Sequence, residues 1–329
     1  MRPVLVTGGA GYIGSHTSQE LLKEGVPVVV LDNLTTGHRE AIRASRFYEG
    51  DISDGELVMH IIRAHQIQSV IHFAAKSLVS ESILRPELYF YENTVKSFAF
   101  CEAAIKAEVK NIVFSSTAAV YGIPEKIPIR EETALAPVNP YGSSKRMIED
   151  FLGWMGKVHG IKWAALRYFN AAGASPDGSL GEDHRPETHL IPLVLQTALG
   201  LREKISVFGT DYDTPDGTCI RDYVHVVDLA SAHILALRAV ESGLPNNIYN
   251  AGTGKGISVL EIIEKSIALT GHKFSVVYEG RRAGDPPILA ADCASVKAVL
   301  GWEPVCSSLE NILSSAWRWH STHPKGYGQ

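Results

Sequence analysis

Apolar positions in the first half of the chain come in short runs. They fall at Val4–Val6, Val28–Leu31, Val70–Phe73, Ile112–Phe114 and Trp163–Leu166, with Phe47-Tyr48 opening a further one. Their residues are β-branched, aliphatic or aromatic, and polar or glycine-rich breaks follow, which predicts strands buried on both faces. Between them, Tyr12–Lys23 and Phe98–Ala107 carry apolar residues at helical spacing. Strand–helix alternation predicts an α/β fold, a Rossmann-type doubly wound parallel sheet covered by helices on both faces. After about Asn170 the pattern changes to Gly-, Pro- and Asp-rich loops, such as Gly173–Gly181 and Gly209–Gly217, with sparser strands. Those strands are expected at Ile205–Phe208, Asp222–Val226, Asn247–Asn250 and Phe274–Tyr278, forming a smaller mixed α/β lobe. The expected division is therefore 1–170 and 171–329, with the helix at 227–240 free to return to the first unit.

Composition narrows the function. The chain has 329 residues, 45% hydrophobic and 20% charged, with a net charge of −5. No basic stripe suggests nucleic acid, and no apolar run reaches the length of a membrane span. The N-terminus enters a strand at once and has no signal-peptide pattern. Cys101, Cys219, Cys293 and Cys306 are scattered, as expected of free thiols in a cytoplasmic protein.

The first strand runs into Gly8-Gly9-Ala10-Gly11-Tyr12-Ile13-Gly14. Such a turn lets a backbone approach a pyrophosphate at a helix N-terminus, although a plain tight turn gives the same glycines. Asp32 ends the second strand, 18 residues after Gly14. A carboxylate there can accept from both ribose hydroxyls and would repel a 2′-phosphate, which points to NAD rather than NADP. Asp51 follows the next apolar run; it suits the adenine or, equally, a helix N-cap.

Asn139-Pro140-Tyr141-Gly142-Ser143-Ser144-Lys145 sets Tyr141 and Lys145 four apart on a helix that Asn139 and Pro140 would open. Tyrosine is a poor base at pH 7; lowering its pKa by about three units takes about 4 kcal/mol. A lysine and a positively charged nicotinamide could provide that. The spacing is common on helices, but Thr117 at the end of the Ile112–Phe114 strand supplies a companion hydroxyl.

With these residues in view, TGGAGYIG, FSSTAAVYG, YGSSK, RYFNAAGA, GEDHRPETHLIP, DGTCIRDYVHV and RRAGDP resemble the UDP-glucose 4-epimerases of the extended short-chain dehydrogenase/reductase superfamily. The resemblance covers nearly the whole chain. It implies an isomerase of galactose metabolism, with NAD kept bound and a 4-keto sugar formed transiently. It implies Tyr141, Lys145 and Thr117 as catalytic residues. Tyr12, Ile13, Asp32, Asn33, Asp51, Ile52, Phe73, Ala74, Asn93 and Tyr168 would join the glycines at the cofactor. Asn170, His189, Leu190, Phe208, Arg221, Arg282, Asp285 and Leu289 would hold the UDP-sugar. A homodimer through helices including Phe98–Ala107 is also implied.

Two departures bear on chemistry. Thr117 replaces a frequent serine, and Ser77 stands where a lysine is often found. By the same resemblance Leu289 corresponds to the family position that gates N-acetylated sugars, and its intermediate size implies some activity on UDP-GlcNAc/UDP-GalNAc beside UDP-Glc/UDP-Gal. Alternative readings are a nucleotide-sugar 4,6-dehydratase and a non-catalytic NAD(H) sensor. Ala118-Ala119, which cannot transfer protons, argues against the first; the joint presence of Thr117, Tyr141 and Lys145 argues against the second. Asp183, His184, Glu187 and His189 could be metal ligands, but they lie in a proline-containing loop without helical spacing, so no metal is expected. Trp317-Arg318-Trp319-His320 reads as amphipathic packing.

Overall fold

A computed structural model describes residues 2–282 and 285–328. The strands are β1 (Val4–Thr7), β2 (Val28–Asp32), β3 (Arg46–Glu49), β4 (Ser69–His72), β5 (Asn111–Ser115), β6 (Lys162–Tyr168), β7 (Asn170–Ala172), β8 (Lys204–Phe208), β9 (Ile220–His225), β10 (Asn247–Ala251), β11 (Gly256–Ser258), β12 (Ser275–Glu279) and β13 (Ile288–Leu289). The helices are α1 (Tyr12–Lys23), α2 (Gly55–Ala64), α3 (Val79–Leu84), α4 (Pro86–Tyr89), α5 (Lys96–Lys106), α6 (Pro140–His159), α7 (Leu190–Ala198), α8 (Val226–Glu241), α9 (Val259–Thr270), α10 (Ala294–Leu300) and α11 (Leu309–Thr322).

Seven strands form one sheet in the order β10-β6-β5-β4-β1-β2-β3, every pairing parallel. Alternate residues of each strand serve opposite faces. Leu5, Val29, Leu31 and Val70 pack under α2, α5 and α6, whereas Val4, Val6, Val28, Val30 and Ile71 pack under α1 and α8. Two buried faces explain why these strands read as unbroken apolar runs. The order reverses between β1 and β4, so the loops after β1, β4, β5 and β6 open a crevice at the C-terminal edge.

The remaining strands form a mixed sheet, with β9 between β11 and β13 and also paired to β7, and a separate parallel pair of β8 and β12. Helices α7, α9 and α11 enclose two small cores against them. One expectation is corrected. The sequence pattern puts Asn247–Asn250 in the second lobe, but β10 pairs with β6 at the edge of the seven-stranded sheet. The reason is α8: its apolar residues Leu229, Ala232 and Leu237 join the core beneath α1 and return the chain there.

Candidate active site

The glycine turn is built for two purposes. Gly8 has φ +72°, and a Cβ on it would lie 2.6 Å from the Ala74 nitrogen. A Cβ on Gly14 would lie 2.2 Å from the Gly8 carbonyl oxygen. These two glycines are demanded by the fold itself. Gly11 differs: its backbone is extended, and a Cβ would meet only the Gly8 oxygen, at 3.3 Å. Gly11 thus keeps one side of the turn open, and no side chain caps α1. The N–H groups of its first turn, on Tyr12, Ile13 and Gly14, remain for a ligand, with the helix dipole behind them. This cradle suits a dinucleotide pyrophosphate. Tyr12 itself turns away and donates from its hydroxyl to the Gly173 carbonyl, 2.6 Å distant.

At the neighbouring edge, Asp32 Oδ2 accepts from Ala10 N at 2.9 Å and Oδ1 from Leu34 N at 2.8 Å. Each oxygen keeps a further lone pair for a ribose hydroxyl. Burial raises the Asp32 pKa, and the two backbone bonds oppose that rise. Asp51 is not a helix cap; Asp54 caps α2 by accepting from Leu57 N. Instead Asp51 binds Lys96 at 2.7 Å, Asn33 Nδ2 at 3.0 Å and Ser53. Partial burial would raise its pKa, but Lys96, Ser53 and Asn33 together hold it well below the usual range. Ile52 is buried beside it in the core under α2.

Phe73 and Ala74 leave β4 directly against Gly8, and the Phe73 ring lies 4.7 Å from the His233 ring. Asn93 sits in a six-residue π-helical turn, Phe90–Val95, that the sequence reading missed. Such turns recur at functional sites. Both amide hydrogens of Asn93 are used, on Lys76 O and Ser144 Oγ, while its Oδ1 accepts from Lys76 N. It therefore clamps the loop after β4 to α6 rather than presenting its amine to a ligand. Lys76 Nζ lies 3.7 Å from Glu81, and Ser77 is exposed.

The catalytic candidates converge where β5 meets α6. Asn139 caps α6 by accepting from Gly142 N at 2.8 Å, and Pro140 opens its first turn. Tyr141 is then buried beside the end of β5, where the Thr117 hydroxyl reaches it. Thr117 Oγ1 also accepts from Ala119 N at 3.1 Å. Lys145 Nζ donates to the Ser115 carbonyl at 2.8 Å and lies 6.0 Å from the centre of the Tyr141 ring. Burial pulls the Lys145 pKa down to about 7, opposed by Glu149 one turn on. Burial and the nearby Tyr168 and Tyr89 push Tyr141 far above its ordinary value, with the Thr117 bond opposing. These side chains alone favour the neutral phenol, and the expected lowering calls on the nicotinamide charge as well as on Lys145.

A buried network beneath the pair was also missed. Glu149 accepts from Ser116 Oγ at 2.5 Å and from Arg167 at 2.5 and 2.9 Å. Arg167 extends it to Tyr121 and, through Tyr121, to Asn250. The signal was present, since Glu149 stands four residues after Lys145 on the same helical face. Tyr168, ending β6, accepts from Ser115 Oγ at 3.1 Å.

The second lobe brings its candidates together by strand register. Arg221 on β9 pairs in register with Leu289 on β13, and its guanidinium donates to Asp285 at 2.9 Å. Arg282 lies 3.7 Å over the Phe208 ring. Ala283 and Gly284 of the RRAGDP segment lie outside the described residues. Leu289 packs against the small cluster of Val120, Tyr121 and Ile129, of which the first two belong to the turn that follows Thr117. Asn170 begins β7 and pairs with Tyr223. Leu190 opens α7 with His189 at its cap, held by Glu187 at 2.9 Å. Trp319 of α11 is buried, in keeping with the packing expected there.

A model described as the NAD dependent epimerase/dehydratase family matches residues 4–252. The chain is 51% identical over 327 residues to the UDP-glucose 4-epimerase of Streptococcus mutans, covering 98% of each chain. A solved structure described as UDP-glucose 4-epimerase matches with a TM-score of 0.97 and 46% identity, covering 100% of each chain. Another, a UDP-glucose 4-epimerase from Bifidobacterium longum in complex with NAD+ and UDP, matches with a TM-score of 0.91 and 36% identity over 98% of this chain and 99% of that one.

Proposed function

The chain belongs to the NAD-dependent epimerase/dehydratase family, and from that premise we propose how its side chains act on a sugar nucleotide. The activity is the interconversion of UDP-galactose and UDP-glucose, an isomerase reaction with NAD as cofactor. Gly11, the first turn of α1 and Asp32 would hold the dinucleotide, with the first sheet as the cofactor unit and the second lobe as the UDP-sugar unit. NAD, when bound, supplies an acceptor that takes hydride from C4 and gives it back. The convergence of Thr117, Tyr141 and Lys145 at the crevice carries the assignment of catalysis. Tyr141 takes the proton of the sugar 4-hydroxyl, with Thr117 in the hydrogen-bond path, and returns it after the 4-keto sugar has turned over. Lys145, anchored on Ser115, positions the nicotinamide ribose. Ala118 and Ala119 offer no acid or base for an elimination, which disfavours dehydration.

The diphosphate suits Arg221 and Arg282, whose planar forks of donors match phosphate oxygens. Asp285 orients Arg221 until the ligand arrives, and Phe208 lies beside the uracil. Asn170, His189 and Leu190 line the sugar side. Grip on the nucleotide rather than the hexose leaves the sugar free to turn. Leu289, smaller than an aromatic gate, admits N-acetylated hexoses as well. A homodimer is supported by an exposed apolar stripe on α6, Met147, Trp154 and Val158, beside the stacked Phe98 and Phe151. Among the described residues no helix is long and apolar enough to cross a membrane. The four cysteines are free, which supports a cytoplasmic location.

The test is direct. Pure protein is incubated with UDP-galactose without added NAD, and UDP-glucose is measured. Product is expected. Absence of product even after NAD is supplied would refute the activity.

A further inference from the structure

The loop between β7 and α7 carries a compact cluster of carboxylate and imidazole side chains. Glu182, His184, Glu187 and His189 each offer one ligand atom, and these atoms all lie within 4.8 Å of one another. Asp183, which the sequence suggested for such a cluster, is not part of it. Its carboxylate instead accepts from Tyr327 N at 2.9 Å and lies near Arg185. Glu182 takes its place.

We propose that Glu182, His184, Glu187 and His189 form a closed four-ligand site for a divalent zinc-class cation. The ligand atoms are close enough to share one ion. His189 Nδ1 lies 2.9 Å and His184 Nδ1 3.1 Å from Glu182 Oε1, and His184 Nδ1 lies 3.6 Å from Glu187 Oε2. Ligands about 2.0–2.1 Å from a tetrahedral metal stand about 3.3 Å apart along each edge. One pair is a hydrogen bond, His189 Nδ1 with Glu187 Oε1 at 2.9 Å, but two further atoms are left over. Among the described residues His184 Nδ1 and Glu187 Oε2 are buried without a hydrogen-bond partner, despite these short separations. Both glutamate side chains are only 5% exposed, so they need compensating positive charge. One dication with two neutral imidazoles balances two carboxylates.

The surroundings hold the ligands in place before any ion arrives. Trp319 Nε1 donates to the Glu182 carbonyl at 3.2 Å, and a Cβ on Gly181 would strike the Trp319 ring at 2.1 Å. Glu187 Oε1 accepts from the backbone of Thr188 at 2.7 Å and of His189 at 2.8 Å. A cavity of about 570 Å³, lined by Glu182, His184, Glu187, His320 and Lys325, gives access. Four protein ligands leave no open position, so the ion is structural. It would pin the loop that starts α7 and fix His189 at its cap. His189 is shared with the sugar side of the proposed active site, so metal content rather than activity tests the ion.

The competing arrangement is two imidazolium groups balancing the same carboxylates, and metal content separates the two. Protein without a polyhistidine tag is equilibrated with zinc chloride, freed of excess and analysed for metal. About one zinc per chain is expected. Replacement by cobalt(II) chloride should give the intense visible bands of a tetrahedral site. His184→Ala and Glu187→Gln should lose both signals, while far-ultraviolet circular dichroism shows whether each variant is folded. The wild-type cobalt spectrum tests the site even if a variant fails to fold. No saturable zinc binding and no cobalt bands in the wild type would overturn the proposal. Undiminished zinc in folded variants would overturn it too, by putting the ion elsewhere.

Discussion

At the scale of single residues, environment decides what Tyr141 can do. Its position beside Thr117 was legible in the sequence because a helix cap and a strand end bracket the two groups. Its protonation was not legible, because that depends on burial. Tyr141 is held neutral and Lys145 is pulled down to about 7 by the same dry surroundings. A phenolate therefore needs positive charge beyond these side chains, which a cationic nicotinamide would bring. Asp51 teaches a similar lesson: spacing permitted a helix cap, and the chain uses Asp54 instead. Leu289 carries a prediction at this scale. Wild-type protein should turn over UDP-GalNAc as well as UDP-galactose. Leu289→Tyr should cut UDP-GalNAc turnover by about tenfold or more, within the range one pocket contact can discriminate. Coupled assays on both substrates check this; no UDP-GalNAc turnover by the wild type would sink it.

At the scale of elements, the first turn separates folding from binding. Gly8→Ala puts a side chain at positive φ against the Ala74 backbone, so it should destabilise the protein by several kcal/mol, of which about 1–2 come from the left-handed backbone alone. Gly11→Ala fits the fold but fills the cradle. It should keep the melting temperature of cofactor-free protein within a few degrees while weakening NAD retention markedly. Thermal melts and released-cofactor assays decide it, and equal cofactor binding by Gly11→Ala would contradict the cradle. Long amphipathic or strongly apolar elements such as α1 and β2 were legible because period and burial agree. Strands β7, β11 and β13 span two or three residues, too few for a period to show. The π-helical turn around Asn93 runs on between two α-helices with no breaker residue, so no sequence signal sets it apart.

At the scale of the whole molecule, the chain crosses between its two units more than once. Sequence distance favoured placing β10 with the second lobe, but α8 carries it back to the first sheet through buried side chains. A linear reading does not see such a return, because amphipathicity shows that a helix face is buried without showing against what. The exposed stripe on α6 belongs to this scale also. Met147, Trp154 and Val158 recur at heptad-like intervals, as in a helix seam awaiting a partner. Trp154→Asp should shift the protein from dimer to monomer in sedimentation velocity. A monomeric wild type would contradict the dimer.

The proposed mechanism puts a transient oxidation, undone in the same cycle, on one tyrosine. Tyr141→Phe tests it most directly, with UDP-galactose turnover and bound NAD measured on the same purified sample. The predicted result is NAD retained at the wild-type level with turnover reduced by at least about a hundredfold, the scale of lost proton transfer. Turnover close to wild type would contradict the account.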